Sequence, residues 1–142
     1  MSDETGAGDD GIPDELREKI AADPFCESLG IELVNLDEGT ATLELELTDD
    51  MCNFHGTPHG GAIYSLADAA FAAASNSHGT SAVALETNMS YLAAAEVGQT
   101  VRATAEESHM AGRTAEYQIA VKTVDDGERV ATFRGRVYRF VD

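Results

Sequence analysis

Residues 53–77 read NFHGTPHGGAIYSLADAAFAAASNS. After Gly60-Gly61 the residues are apolar or small almost all round: Ala62, Ile63, Leu66, Ala67, Ala69, Ala70, Phe71, Ala72, Ala73 and Ala74. Alanine and leucine are the best helix formers, so the run predicts one helix of about four turns. A helix apolar on every side is expected to be covered on every side. Asp68 stands near its middle. Burying an isolated carboxylate costs several kcal/mol, so something must offset it: nearby hydroxyls such as Ser65, backbone groups, or a chemical role.

Outward from this helix the pattern changes to strands. Before it, Pro13, Asp14 and Glu15 open a short helix that should end before Pro24. Gly30 to Leu36 then reads as a strand, Asp37-Glu38-Gly39 as a turn, and Ala41 to Leu47 as a second, alternating strand. Residues 48–59 form a loop. After the helix come four more strands: Ser81 to Leu92, whose mixed pattern suggests two partly covered faces; Val101 to Glu106; Ala115 to Lys122; and Val130 to Phe140. A long antiparallel sheet has one apolar face to hide, and one helix can cover it. The fold class is α+β with a central helix, in one domain over residues 12–142. Residues 1–11, Gly- and Asp-rich, are expected to be disordered.

Twenty-six acidic residues against nine basic ones give a net charge of −17. Such a chain lacks the basic face that nucleic acid requires. No uncharged run of 18 apolar residues suggests a membrane span, and the acidic N-terminus has no signal-peptide pattern. Cys26 and Cys52 read as a reduced cytoplasmic pair. Of the nine bases only Lys19 and Lys122 are lysine. The charge reads as adaptation to high salt, a merely acidic protein being the alternative.

Asn53, His59-Gly60-Gly61, Leu66-Ala67-Asp68 and Asn76-Ser77 together resemble the hotdog-fold acyl-CoA thioesterases of the PaaI-like, phenylacetic-acid-degradation family. The resemblance implies a sheet wrapped around the central helix, a coenzyme A thioester as substrate, and a homodimer or homotetramer. It implies no cofactor and no metal. It also implies roles: the Gly60 N–H as oxyanion donor, Asp68 as general base or nucleophile, and Asn53 and His59 as organisers of the site. Gly61, Tyr91 and the turn His109, Gly112, Arg113 would line the coenzyme A cleft, with Arg113 suited to a phosphate. Some relatives carry Ser or Thr where this chain has Ala84. A non-catalytic acyl-CoA binder is the main alternative, and a hotdog hydratase a weaker one.

The residues also speak for themselves. A glycine pair at a helix start permits close approach to free N–H groups at the positive dipole end. Equally, it suits a tight turn. Asn53 fits a turn, and His59 fits loop-shaping hydrogen bonds. His55 and His59 have the spacing of metal ligands on a helix, but Gly56 and Pro58 break any helix there and no HExxH acid is present. A Cys52 nucleophile lacks a supporting spacing, and the sequon at Asn88 falls in a strand. Gly60 and Asp68 lie eight residues apart, which is about 12 Å along a helix. They cannot serve one carbonyl from one chain, so a site using both needs a second subunit.

The charge makes the first prediction. Screening relieves repulsion among excess carboxylates, so the unfolding temperature should rise from dilute buffer to molar KCl. A flat or falling series in differential scanning calorimetry refutes salt adaptation.

Overall fold

Six strands, all paired antiparallel, make one sheet that curves around one long helix. The computed structural model describes residues 11–141. The expected disordered tail therefore lies, Gly11 apart, outside the described residues. In chain order the elements are α1 (Asp14–Ala21), α2 (Pro24–Leu29), β1 (Glu32–Asp37), β2 (Thr40–Glu46), α3 (Gly60–Asn76), β3 (Ala82–Tyr91), β4 (Thr100–Ala111), β5 (Thr114–Thr123) and β6 (Arg129–Arg139). The strands stand in the order β1-β2-β4-β5-β6-β3. This is the hotdog arrangement.

The inner face is written in the register. Leu43, Ala103, Val121 and Ala131 form one lateral row, and Ala41, Ala105, Ile119 and Phe133 the next. All eight are buried. The alternate positions Arg102, Glu106, Gln118 and Lys122 face outward and are exposed. Alanines at 41, 103 and 105 leave room for α3 to lie close to the sheet.

One glycine decides the fit. Phe71 of α3 packs edge-on against Tyr117 at 6.0 Å and tilted against Phe133 at 5.6 Å. A Cβ on Gly135 would lie 2.6 Å from the Phe71 ring, far inside contact distance. The end of α3 is also pinned. Ser77 Oγ donates to the Ala74 carbonyl and accepts from the Gly39 N–H, both at 2.7 Å. His78 Nε2 and the Tyr117 hydroxyl both reach Glu107 Oε1, at 2.7 and 3.0 Å.

Three expectations need correcting. Residues 24–29 form a second helix where none was expected. Asp23 Oδ1 accepts from the Cys26 N–H at 3.0 Å, Pro24 opens the helix, and Gly30 (φ 84°) ends it in the left-handed region. Gly30 is therefore a helix stop, and the first strand begins at Glu32. Second, α3 is not covered on all sides. Gly61 and Ala72 are exposed and Ser65, Asp68 and Ala69 half-buried, because the sheet embraces only the opposite side. Alanine favours helices whether buried or not, so its abundance overstated the burial. Third, β3 is an edge strand whose Val83, Leu85 and Tyr91 are each more than half exposed.

Because Phe71 cannot retreat from the core, Gly135→Ala should lose about 1–3 kcal/mol to overpacking. Urea unfolding should show a lower midpoint at unchanged slope. An unaltered midpoint means that α3 is free to shift.

Candidate active site

The loop before α3 is built to present the helix start. The Asn53 N–H donates to the Thr57 carbonyl at 2.8 Å, and the His59 N–H to the Met51 carbonyl at 2.7 Å. Asn53 Oδ1 accepts from the His55 and Thr57 N–H groups at 2.9 and 3.2 Å and from the Thr57 hydroxyl. Asn53 is thus the organiser of its own turn. His59 caps α3: its Nδ1 accepts from the Gly61 N–H at 2.8 Å, which leaves the ring proton on Nε2.

With Gly61 satisfied by His59, the Gly60 N–H is the donor that remains at the helix start. No acceptor among the described residues takes it. The Tyr91 hydroxyl donates to the Gly60 carbonyl at 3.0 Å, and a Cβ on Gly60 would lie 3.2 Å from the Tyr91 ring. Gly60 and Tyr91 therefore form one corner, open to solvent through a ring that is 55% exposed. A free N–H at the positive end of a 17-residue helix suits an oxyanion.

Asp68 lies two turns along α3, half-buried on its open side. No side chain of the described residues hydrogen-bonds to it. Burial raises its pKa above 3.8, and the Asp23 carboxylate adds to the rise. Burial, assisted by Asp23 and then Asp68, pushes the Cys26 thiol up to about 11, so this cysteine is a poor nucleophile. Beside this group a cavity of about 290 Å³ opens between α1, α2 and α3, lined by Leu16, Ile20, Cys26, Leu33, Ala69 and Ala72 among others. The sequence does not show this cavity, because its walls come from α1, α3, β1 and β2 as well as from Cys26 of α2, the helix that was not expected. The signal was present in Asp23-Pro24 and Gly30.

The turn with His109, Gly112 and Arg113 stands elsewhere. Thr114 pairs with Tyr138 and Ala82 with Arg139, whereas Tyr91 pairs with Ala131, seven residues away along β6. Arg113 is engaged there, donating to the Val141 carbonyl at 2.8 Å. Within one chain, then, Gly60, Gly61, His59, Asn53 and Tyr91 come together, Asp68 stands apart, and the Arg113 turn is at the far end of the sheet. Among the described residues no three His, Cys, Asp or Glu side chains gather as metal ligands would. No described helix is long and apolar enough to cross a membrane.

Residues 55–130 match the thioesterase superfamily. The chain belongs to this superfamily, and it is a thioester hydrolase. It is 38% identical over 117 residues to the acyl-coenzyme A thioesterase PaaI of Escherichia coli K12, covering 82% of this chain and 83% of that protein. The solved structure of the E. coli PaaI protein from the phenylacetic acid degradation operon superposes with a TM-score of 0.84, over 89% of this chain and 92% of that one. A Thermus thermophilus protein is similar at 44% identity and TM-score 0.79, over 83% of this chain and 98% of that one. A Streptococcus mutans UA159 protein solved bound to acetyl CoA is similar at 25% identity and TM-score 0.73, over 77% and 87% respectively.

The raised pKa of Asp68 has a cost in stability. The folded state holds its proton at pH values where the unfolded chain has released it, so stability is lost as pH rises from about 3.8 through the folded pKa. Asp68→Asn lacks this loss. Its melting temperature should exceed that of the unaltered chain at pH 7, and the gap should close below pH 4. Equal melting at neutral pH means that Asp68 is not desolvated.

Proposed function

We propose that the chain is a cytoplasmic acyl-CoA thioesterase whose sites are shared between two copies. The Gly60 N–H of one chain polarises the thioester carbonyl, and the partner's Asp68 either takes a proton from the water that attacks it or attacks it directly to form an anhydride that water then cleaves; in both cases the C–S bond breaks and the coenzyme A thiolate leaves. Asn53 and His59 hold the loop that aims the donor, Gly61 and Tyr91 border the carbonyl, and the cavity beside the partner's Asp68 takes the acyl group. The partner's His109, Gly112 and Arg113 lie towards the coenzyme. This reading needs no metal or prosthetic group.

The observation that carries it is a symmetry of spacing. Tyr64 lies midway between Gly60 and Asp68, and its hydroxyl is 2.5 Å from Thr87 Oγ1, in the middle of β3. β3 stands at the edge of the sheet, unpaired on one side within the chain, and exposes Val83, Leu85 and Tyr91. If two copies pair antiparallel along it, with the two-fold axis near Thr87, their α3 helices run in opposite senses at the level of Tyr64. Gly60 of one chain then stands level with Asp68 of the other, although the two are about 12 Å apart within a chain. The same pairing brings the Ala82 end of one chain, with its Arg113 turn, towards the Gly60 corner of its partner.

Complementation tests this arrangement. Asp68→Asn should lower turnover by about 10²–10⁴. Gly60→Pro removes the donor at a position where proline suits a helix start, and His59 (ψ 136°) has the extended backbone that precedes proline comfortably. Mixed and refolded together, these two inactive variants should recover about a quarter of the unaltered activity, since half the dimers hold one intact site of two. Thiol release from acyl-CoA reads the result. Two folded, associated variants that recover nothing refute the shared site, and binding without turnover in the unaltered chain refutes the enzyme in favour of an acyl-CoA binder.

A further inference from the structure

The outer face of the sheet, away from α3, carries a second and larger cavity of about 510 Å³. Its floor is made of small residues, Thr104, Ala120 and Thr132, and its rim of long ones. Along that rim Arg102 on β4 pairs in register with Lys122 on β5, and Lys122 with Arg129 on β6. Three cations thus stand side by side on adjacent strands. Like charges directly opposite one another destabilise a sheet. Arg102 is offset by Glu44, at 2.6 Å. Lys122 and Arg129 have no acid partner among the described residues.

This arrangement runs against the composition. Nine basic residues among twenty-six acidic ones could each be paired several times over, yet two of them are left facing each other. Glu106 and Gln118 stand on the opposite rim, too far along the strands to share this row. Asp126 is occupied by the Thr123 hydroxyl and the Glu128 N–H. An anion bound across the row removes the repulsion, and two or three neighbouring cations above a small-residue floor suit phosphate groups.

The row also stands at the Gly60 end of the sheet. Tyr91, whose hydroxyl holds Gly60, pairs with Ala131, and the next N–H, that of Leu92, donates to the Val130 carbonyl at 2.8 Å. Arg129 is the neighbouring residue. A tyrosine side chain of about 6.5 Å and two or three strand residues at about 3.3 Å each span about 13–17 Å. The arm of coenzyme A between sulfur and diphosphate is about thirteen bonds long, about 15 Å when extended. We infer that Arg102, Lys122 and Arg129 bind the phosphates of the coenzyme A nucleotide, with the arm passing over Tyr91 and round the end of β3 to reach Gly60 of the same chain. This rests on the acyl-CoA reading above, and assigns the phosphates to residues other than Arg113.

The test compares two thioesters of one acyl group, the coenzyme A ester and the truncated N-acetylcysteamine ester, which has no phosphate. In low salt the double variant Lys122→Ala/Arg129→Ala should lower the ratio of kcat/KM between them by about tenfold, through KM of the coenzyme A ester. Lys122→Arg should keep the ratio. The phosphorylated ADP portion of coenzyme A alone should inhibit competitively, and should do so less well in the double variant. If the double variant does not fold, Lys122→Gln carries the same comparison. An unchanged ratio overturns the assignment, as does a ratio that falls in Arg113→Ala but not in the double variant. Nucleotide binding that depends on the row without competing with substrate assigns it to a separate nucleotide and overturns the coenzyme assignment. If no acyl-CoA is hydrolysed while the phosphorylated nucleotide still binds through the row, the thioesterase reading fails and the phosphate row stands.

Discussion

The rigidity of one helix governs how this chain can work. Along α3 the donor end at Gly60 and the carboxylate at Asp68 are held about two turns apart, and no side-chain rotation closes that gap. The helix itself is held rigidly. Phe71 locks against Gly135, Tyr117 and Phe133, while Ser77, His78 and Glu107 fix its far end. A ruler fixed at both ends cannot bring its own two marks together. A second ruler laid alongside in the opposite sense can, and the open edge of β3 is where it would lie.

The same packing explains why Asp68 is tolerated. The sheet covers the side of α3 that carries Leu66, Ala67, Ala70 and Ala74, all fully buried. The carboxylate sits on the uncovered side, bordered by Cys26 and Asp23 from the N-terminal helices. It is desolvated enough to raise its pKa but not sealed in the core. That is a middle position: a fully buried acid would be neutral, and a fully exposed one would be an ordinary surface charge.

Charge is distributed with equal consequence. The chain is strongly acidic, yet its outer sheet face concentrates cations in one row at the end nearest Gly60. An acidic surface repels a polyphosphate ligand over long range, so a local cationic row matters more here than it would on a neutral protein. In the proposed arrangement the two faces of the sheet divide the labour: the inner face would hold the reacting end and the outer face the charged end.

Much of this was legible in the order of residues alone. Periodicity gave six strands and one long helix, because alternation and helical spacing are local properties that survive without coordinates. The motif from Asn53 to Asp68 pointed to a thioesterase, and arithmetic on eight residues meant that a site using both Gly60 and Asp68 would need a second subunit. Local signals went unread at Asp23-Pro24 and Gly30, where a cap, a proline and a left-handed glycine mark α2. Tertiary structure alone decided the rest. Which side of α3 is open depends on how far the sheet curls, which alanines cannot report. That Gly135 must lack a side chain depends on Phe71, which is 64 positions away. Where Arg113, Lys122 and Arg129 lie relative to Gly60 depends on strand register. Register is a relation between segments distant in sequence, set by the packing of the inner rows, and so no reading along the chain contains it.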